Sequence, residues 1–327
     1  MLQILLLSAV WGISFLMIRV AGSAFPPTWV GMLRASFGAL LLWLVLFIGR
    51  YKLPPRQLFP WLFLVALTNN AIPFSFFAWG ERAVPSSTAA VLNATTPIWT
   101  LLLSMAVHRS RTSLHTILGV IIGFAGVAIV VYSRAATVSP DAHHGDLALG
   151  IIVIALAALG YAVATVIAKA KLQGLEPIGL AVTQLTLAAL MLAPVAAAGP
   201  HPADFRLVPL LAILVLGFAG SGIAYFLYYN LLAHIPATHV VAVTYLLPAW
   251  GIFWGLIAHE PIAPLAYVGV AIVIAGLILM NKSVASPSKI TAPKSVEACA
   301  ESRDPSCVGS GPLSLCSEYV SEGIRLR

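Results

Sequence analysis

One stretch of this sequence occurs twice, and any fold must accommodate both copies. Residues 84–99 read VPSSTAAVLNATTPIW and residues 235–250 read IPATHVVAVTYLLPAW. Each begins with an apolar residue and a proline, at Val84-Pro85 and Ile235-Pro236, and reaches a second proline, Pro97 or Pro248, after the same interval (97 − 84 = 248 − 235 = 13). The offset is 151 residues, and the correspondence continues outward. Pro27 pairs with Pro177, Arg34 with Gln184, Trp11 with Tyr161 and Arg19 with Lys169, each 150 apart; so do Gly119 and Gly126 with Gly269 and Gly276. Prolines, glycines and cations recur in register together with the leucines, which marks an internal duplication.

The duplicated part is strongly apolar. Hydrophobic residues make up 60% of the 327, charged residues 9%, and the mean hydropathy is +0.96. A soluble chain has about a quarter charged residues, so this composition places the chain in a lipid bilayer. The net charge of +7 then calls for no nucleic-acid partner. Most of the cations lie between apolar runs, where they set orientation.

Ten apolar runs of a length suited to crossing a bilayer can be drawn. The first half gives Leu2–Val20, Trp29–Ile48, Pro60–Trp79, Ser87–Val107 and Leu114–Tyr132; the second gives Leu147–Ala168, Gly179–Ala197, Leu207–Leu231, Thr238–Ile257 and Leu265–Met280. The first run has no Lys or Arg ahead of it, unlike a signal peptide, and is read as a span. With the N-terminus inside, the inner segments carry ten cations (Arg50, Lys52, Arg56, Arg109, Arg111, Lys169, Lys171, Lys282, Lys289 and Lys294) against three outside (Arg82, Arg134 and Arg206). Both termini are therefore expected in the cytoplasm. Among the acids, Glu81, Asp141, Asp146 and Asp204 fall in the outer loops. Because five is odd, two five-helix halves run in opposite directions. The expected fold is an all-α integral membrane protein with ten transmembrane helices in two inverted five-helix repeats, 1–134 and 146–280. The polar segment 281–327, which holds Cys299, Cys307 and Cys316, reads as a disordered cytoplasmic tail. Three cysteines without ligand spacing predict neither a disulfide framework nor a metal site.

In the first helix WGISFLMIR (Trp11–Arg19), followed by PPTWVGMLR (Pro26–Arg34), resembles the EamA family of the drug/metabolite transporter superfamily. So does, in each half, a small-residue helix with its proline followed by spaced glycines (GVIIGFAG and GVAIVIAG). The resemblance covers Leu2 to Met280. It implies two inverted five-helix repeats and the movement of small metabolites, amino acids or toxic amphiphiles across the cytoplasmic membrane, usually outward. The sequence departs from the family in one place. The acidic residue expected at the end of the fourth helix of each repeat is present in the second half as Glu260, whereas the first half has HRSR (His108–Arg111). Read structurally, such a carboxylate is a helix cap or a loop ion pair, with proton coupling as the competing reading.

The residues picked out as cavity candidates are Trp11, Ser14, Arg34, Asn69, Asn70, Asn93, Tyr161, Gln184, Tyr225 and Tyr245. Ionisable and amide groups at membrane depth are costly and face either a cavity or a partner helix. Arg34, about two turns inside its helix, is read as cavity-facing; its repeat mate Gln184 is neutral, so the site would hold one cation and suit an acidic or zwitterionic solute. For the asparagines, helix–helix contact and cavity lining stand as equal readings. Arg19, Lys169 and Glu260 are helix-end charges, where snorkelling to the interface is the competing reading. Gly119-x-x-x-Gly123 and Gly251-x-x-x-Gly255 suit close helix packing within the chain, with a homodimer as the alternative. No nucleotide-binding loop, zinc motif or nucleophile elbow occurs, which predicts no cofactor and no ATP-driven pumping. The function expected is secondary transport of a small organic solute. A lipid-modifying membrane enzyme would need clustered His or acids at one face, and the acids here are scattered; a channel or scaffold does not require the doubling.

Overall fold

The computed structural model describes residues 2–84, 86–108, 113–135, 144–202, 206–247, 249, 250, 253 and 264–285. Every regular element among them is helical. In chain order these are α1 (Leu2–Gly22), α2 (Pro27–Gly49), α3 (Arg56–Gly80), α4 (Ser86–Asn93), α5 (Thr96–His108) and α6 (Leu114–Ala135). They continue as α7 (His144–Lys171), α8 (Pro177–Ala198), α9 (Leu207–His234), α10 (Ala237–Leu246) and α11 (Pro264–Ala285). Six of them, α1, α2, α3, α7, α8 and α9, are long and apolar enough to cross a membrane; shorter apolar helices lie in α5, α6, α10 and α11. The polar tail from residue 286 onward lies outside the described residues.

The helices carry apolar residues all round, as expected where the solvent is hydrocarbon. One side of α2, for example, leaves Leu40, Leu44 and Phe47 more than half exposed. Its other side packs on α8 through Ala35, Ala39, Ala181 and Ala188. In this bundle the first half pairs with the second throughout. Helix α2 lies on α8, α1 on α9, α3 on α7, and α5 on α7 and α10. With no hydrophobic force between helices in lipid, small side chains that let backbones approach provide the contact. This is plainest between α6 and α11. A Cβ added at Gly276 would fall 2.5 Å from the Gly123 backbone nitrogen and 2.7 Å from the Gly119 carbonyl oxygen. The Gly119/Gly123 face is thus used inside the chain; Gly251 and Gly255 lie outside the described residues.

Two of the long helices are interrupted, and at matching places. In α3 residues Leu67–Ala71 form a π turn, and in α9 residues Phe218–Ile223 do (218 − 67 = 151). In α3 the cause is Pro73. Proline has no N–H to give to the carbonyl four residues back, here Asn69, and its ring crowds that carbonyl. In α9 the corresponding residue is Ala224, whose N–H is shared between the Ala219 carbonyl, five residues back, and that of Ser221, three back, rather than given to that of Gly220.

The expected fourth helix, Ser87–Val107, is two helices, α4 and α5, meeting at Ala94-Thr95. Pro97 excludes the Asn93 carbonyl from helical bonding, and the Thr96 hydroxyl donates to it instead at 2.6 Å. The expected ninth, Thr238–Ile257, begins as α-helix at Ala237 and tightens to a 3₁₀ helix over Ala242–Leu246.

Substituting Gly276 by Ala should lower the thermal midpoint of the purified protein, because the atoms met are backbone and cannot step aside; overpacking of this kind costs about 1–3 kcal/mol. Gly22, with nothing within 4 Å of an added Cβ, supplies the control. Gly22→Ala should leave the midpoint unchanged in the same thermal-shift assay.

Candidate functional site

A central cavity with about 580 Å³ of atom-free space, part of it open to the outside, lies between the two halves. Helix α1 contributes Trp11, Ser14, Phe15 and Ile18, the i, i+3, i+4, i+7 stripe of one helical face. From α2 comes Arg34 and from α3 Asn69 and Phe77. The α4–α5 junction adds Asn93 and Thr96, and α7 adds Tyr161 and Thr165. Tyr225 and Tyr228 project from α9, Val241 and Thr244 from α10.

Arg34 is only 5% exposed, and its guanidinium is held by the π turn of α9. Its Nε–H donates to Ser221 Oγ at 2.9 Å and Nη2 donates to the free Gly220 carbonyl at 3.2 Å. The guanidinium carbon also sits 4.1 Å above the centre of the Phe74 ring, which provides cation–π attraction. None of these contacts is an ion pair. Two of the five N–H donors are used, so three remain for whatever enters the cavity.

The π turn of α3 shows the same pattern with other chemistry. Its free Asn69 carbonyl accepts a hydrogen bond from the Tyr225 hydroxyl at 2.9 Å, and Asn69 Nδ2 donates to Gln184 Oε1 at 3.3 Å. Tyr229 donates to the same Gln184 oxygen at 2.7 Å. Arg34 against Gly220-Ser221 and Gln184 against Asn69-Asn70 thus occupy equivalent places in the two halves, one with a cation and one neutral.

The aromatic walls are joined by ring contacts of several geometries. Trp11 lies 6.4 Å from Tyr225 and 6.0 Å from Tyr228, and Phe77 stacks 5.9 Å from Tyr161. The Tyr228 hydroxyl donates to Thr165 Oγ1 at 2.8 Å. Such a chamber offers a fixed cation, several hydroxyls and amides, and aromatic faces.

Of the residues singled out by sequence, Trp11, Ser14, Arg34, Asn69, Asn93, Tyr161 and Tyr225 lie together on this cavity. Three lie elsewhere. Gln184 is fully buried behind Asn69, and Asn70 is buried with neither amide atom hydrogen-bonded. Tyr245 is buried against Gly123 of α6, its hydroxyl donating to the Val120 carbonyl at 3.1 Å. Tyr228, one of the tyrosines of α9 that the sequence marks as cavity-wall candidates, also lies on the cavity, whereas sequence reasoning missed Phe15, Ile18, Phe77, Thr96, Thr165, Val241 and Thr244. Helical spacing from the candidates it did choose would have reached several of them: Phe15 follows Trp11 by four residues and Thr165 follows Tyr161 by four.

The helix-end charges separate. Lys169 Nζ donates to the Leu232 and Ile235 carbonyls at 2.7 and 3.0 Å, capping the end of α9 from the neighbouring helix. Arg19 is exposed and makes no such bond. Glu260 lies outside the described residues. Glu81, read from sequence as a loop charge, lies in the turn beyond the end of α3 and is buried there. It folds inward because the Glu81 N–H continues the helix to the Phe77 carbonyl and the Ser86 hydroxyl donates to Glu81 Oε2 at 2.8 Å. Burial pushes this carboxyl up to about 8, against the opposing pull of the Ser86 hydroxyl, Arg19 and Arg34.

Gln184→Leu should destabilise the protein although Gln184 itself does not line the cavity. It strands the Tyr229 hydroxyl and the Asn69 amide, and each buried group left unpaired costs about 1–3 kcal/mol. A lowered thermal midpoint, partly restored by adding Tyr229→Phe, is the expected result.

Comparison with known proteins agrees with this architecture. A transporter of Bacillus subtilis (strain 168), described as uncharacterized and named YoaV, is 24% identical over 295 residues, covering 89% of this chain and 99% of its own. The uncharacterized inner membrane transporter YedA of Escherichia coli (strain K12) is 23% identical over 278 residues, 83% of this chain and 87% of its own. A solved crystal structure, titled only as that of a protein, superposes with a TM-score of 0.70 at 16% identity, covering 87% of this chain and 98% of that one, and so shares the fold. Residues 1–132 and 148–282 each match the EamA-like transporter family. Two matches that between them span nearly all of the apolar body show that this multi-pass membrane protein belongs to the EamA-like transporter family.

Proposed function

We propose that the protein is a secondary transporter that carries small acidic or zwitterionic organic solutes, amino acids and drug-like amphiphiles among them, by alternating access. The proposed architecture is ten transmembrane helices in two inverted five-helix repeats, with both termini cytoplasmic and transport directed outward. Inverted repeats give a carrier two related conformations, one open to each side. Two features support the doubling: the π turns recur at the same offset, and the α1–α9 and α7–α3 pairs exchange with each other when 150 or 151 is added to the first-half numbers.

One observation carries the solute class. Arg34 stands at the cavity wall without an ion-pair partner, three of its N–H donors unused, among aromatic rings. A carboxylate is the natural complement of a guanidinium, and the rings of Trp11, Tyr225 and Phe77 suit an apolar or aromatic remainder. The cation is single, because the equivalent position is Gln184, so one carboxylate per solute is the expected stoichiometry.

The deciding experiment is counterflow in proteoliposomes with a panel of labelled amino acids and aromatic acids. Arg34→Gln should weaken apparent affinity for the carboxylate-bearing solutes by roughly one to two decades, since a charge-assisted bond is worth about 1.5–3 kcal/mol. Unchanged counterflow at normal expression would exclude Arg34 from binding. Orientation is tested separately by reporter fusions after Met280 and within residues 133–146, which should report cytoplasmic and external positions respectively.

A further inference from the structure

The two helix-end cations are equivalent in sequence and unlike in structure. Lys169 caps the Leu232 and Ile235 carbonyls at the end of α9. Subtracting the repeat offset gives the corresponding groups in the first half: Arg19 (169 − 150), Glu81 (232 − 151) and Val84 (235 − 151). Arg19 could therefore cap the Glu81 and Val84 carbonyls at the end of α3, and here it does not; it stays exposed. The first half also has a carboxylate where the second has Leu232, and a hydroxyl, Ser86, where the second has Ala237.

The surroundings of that carboxylate suit both of its protonation states. Ser86 Oγ is 2.8 Å from Glu81 Oε2 and 3.5 Å from the Phe15 carbonyl of α1, while Glu81 Oε1 is buried without a hydrogen-bond partner. Ionised, Glu81 accepts the Ser86 hydroxyl hydrogen. When a proton arrives from water, the neutral carboxyl donates to Ser86 Oγ, and the Ser86 hydrogen turns to the Phe15 carbonyl. Nothing but the one proton is gained. The charged groups that act on the site are Arg19 from α1 and Arg34 from α2. Helix α4 presents Ser86, and α7 meets the end of α3 through Gly150 and Ile154, which are apolar. The adjacent Arg82 is exposed.

We infer that Glu81 is a proton-binding site, and that its proton and the docking of Arg19 on the end of α3 exclude one another. An ionised Glu81 draws Arg19 onto the carbonyls in the manner of Lys169; a neutral one releases it. A cation that docks alternately with a proton links proton movement to closure of one end of the carrier. That consequence rests on the transport reading above, whereas the proton site itself does not.

Infrared difference spectroscopy of the full chain in nanodiscs, titrated with acid and base, reads the site directly and needs no solute. The protein should show a carboxyl band that disappears with a midpoint near pH 8 and that Glu81→Gln abolishes. Ser86→Ala removes a donor to the carboxylate and should raise the midpoint. Arg19→Ala should raise it too, while Lys169→Ala should not move it. Because the folded protein holds this proton where an unfolded chain has released it, the thermal midpoint should fall as pH rises from 4.5 to about 8. Absence of the band, or its persistence in Glu81→Gln, overturns the site. If Glu81→Gln does not fold, the Ser86→Ala shift decides in its place. A midpoint indifferent to Arg19→Ala overturns the link to docking. Failure of counterflow with the titration intact would count against transport and leave the site standing.

Discussion

A backbone carbonyl inside a bilayer has no water to turn to, and each one released from its helix must be satisfied by another part of the protein. Two such carbonyls, those of Asn69 and Gly220, organise the middle of this molecule. Each is freed at a π turn, and each is claimed by a side chain from elsewhere in the bundle: Asn69 by the Tyr225 hydroxyl, Gly220 by the Arg34 guanidinium. The side chains that come to satisfy these groups are the ones that line the cavity. Local backbone defects, affordable only because they are filled, thus gather polar chemistry at the centre of an otherwise apolar protein.

The same constraint explains how equivalent places in the two halves come to differ in charge. Both π turns need a donor, and either a hydroxyl or a guanidinium meets the need. Arg34 and Gln184 stand at equivalent places facing equivalent turns. One brings a charge; the other is neutral, its side-chain oxygen taken by both Asn69 and Tyr229. The helix ends differ in a similar way. Lys169 is fully engaged with the end of α9, while the end of α3 has a buried carboxylate and a cation that remains outside.

Much of the fold was legible in the sequence, for reasons that can be stated. Apolar run length and the 150–151 offset located the long helices, because hydrocarbon thickness fixes the one and duplication the other. Arg34 stood out because a cation well inside an apolar run needs a reason to be there. The break at Ala94-Thr95 was missed, although Pro97 announces it, because hydropathy continues across the junction. Glu81 does stand in the loop between α3 and α4, but its burial depends on the packing of α1 and α7, which local sequence does not show. Tyr245 looked like Tyr225 in one dimension, a tyrosine within an apolar helix. Only the packing of α6 separates them, since Gly123 makes room for the Tyr245 ring on the side away from the cavity.

The two π turns also differ in permanence. Position 73 is proline and can never offer a hydrogen to the Asn69 carbonyl, so the irregularity in α3 is written into the covalent chain. Position 224 is alanine, with its N–H intact and shared between the Ala219 and Ser221 carbonyls. Transferring that one hydrogen to the Gly220 carbonyl would turn the irregular segment of α9 back toward ordinary α-helix, and the acceptor that Arg34 now uses would be taken. One bend is therefore built in, while the other lasts as long as the guanidinium competes successfully for a single oxygen.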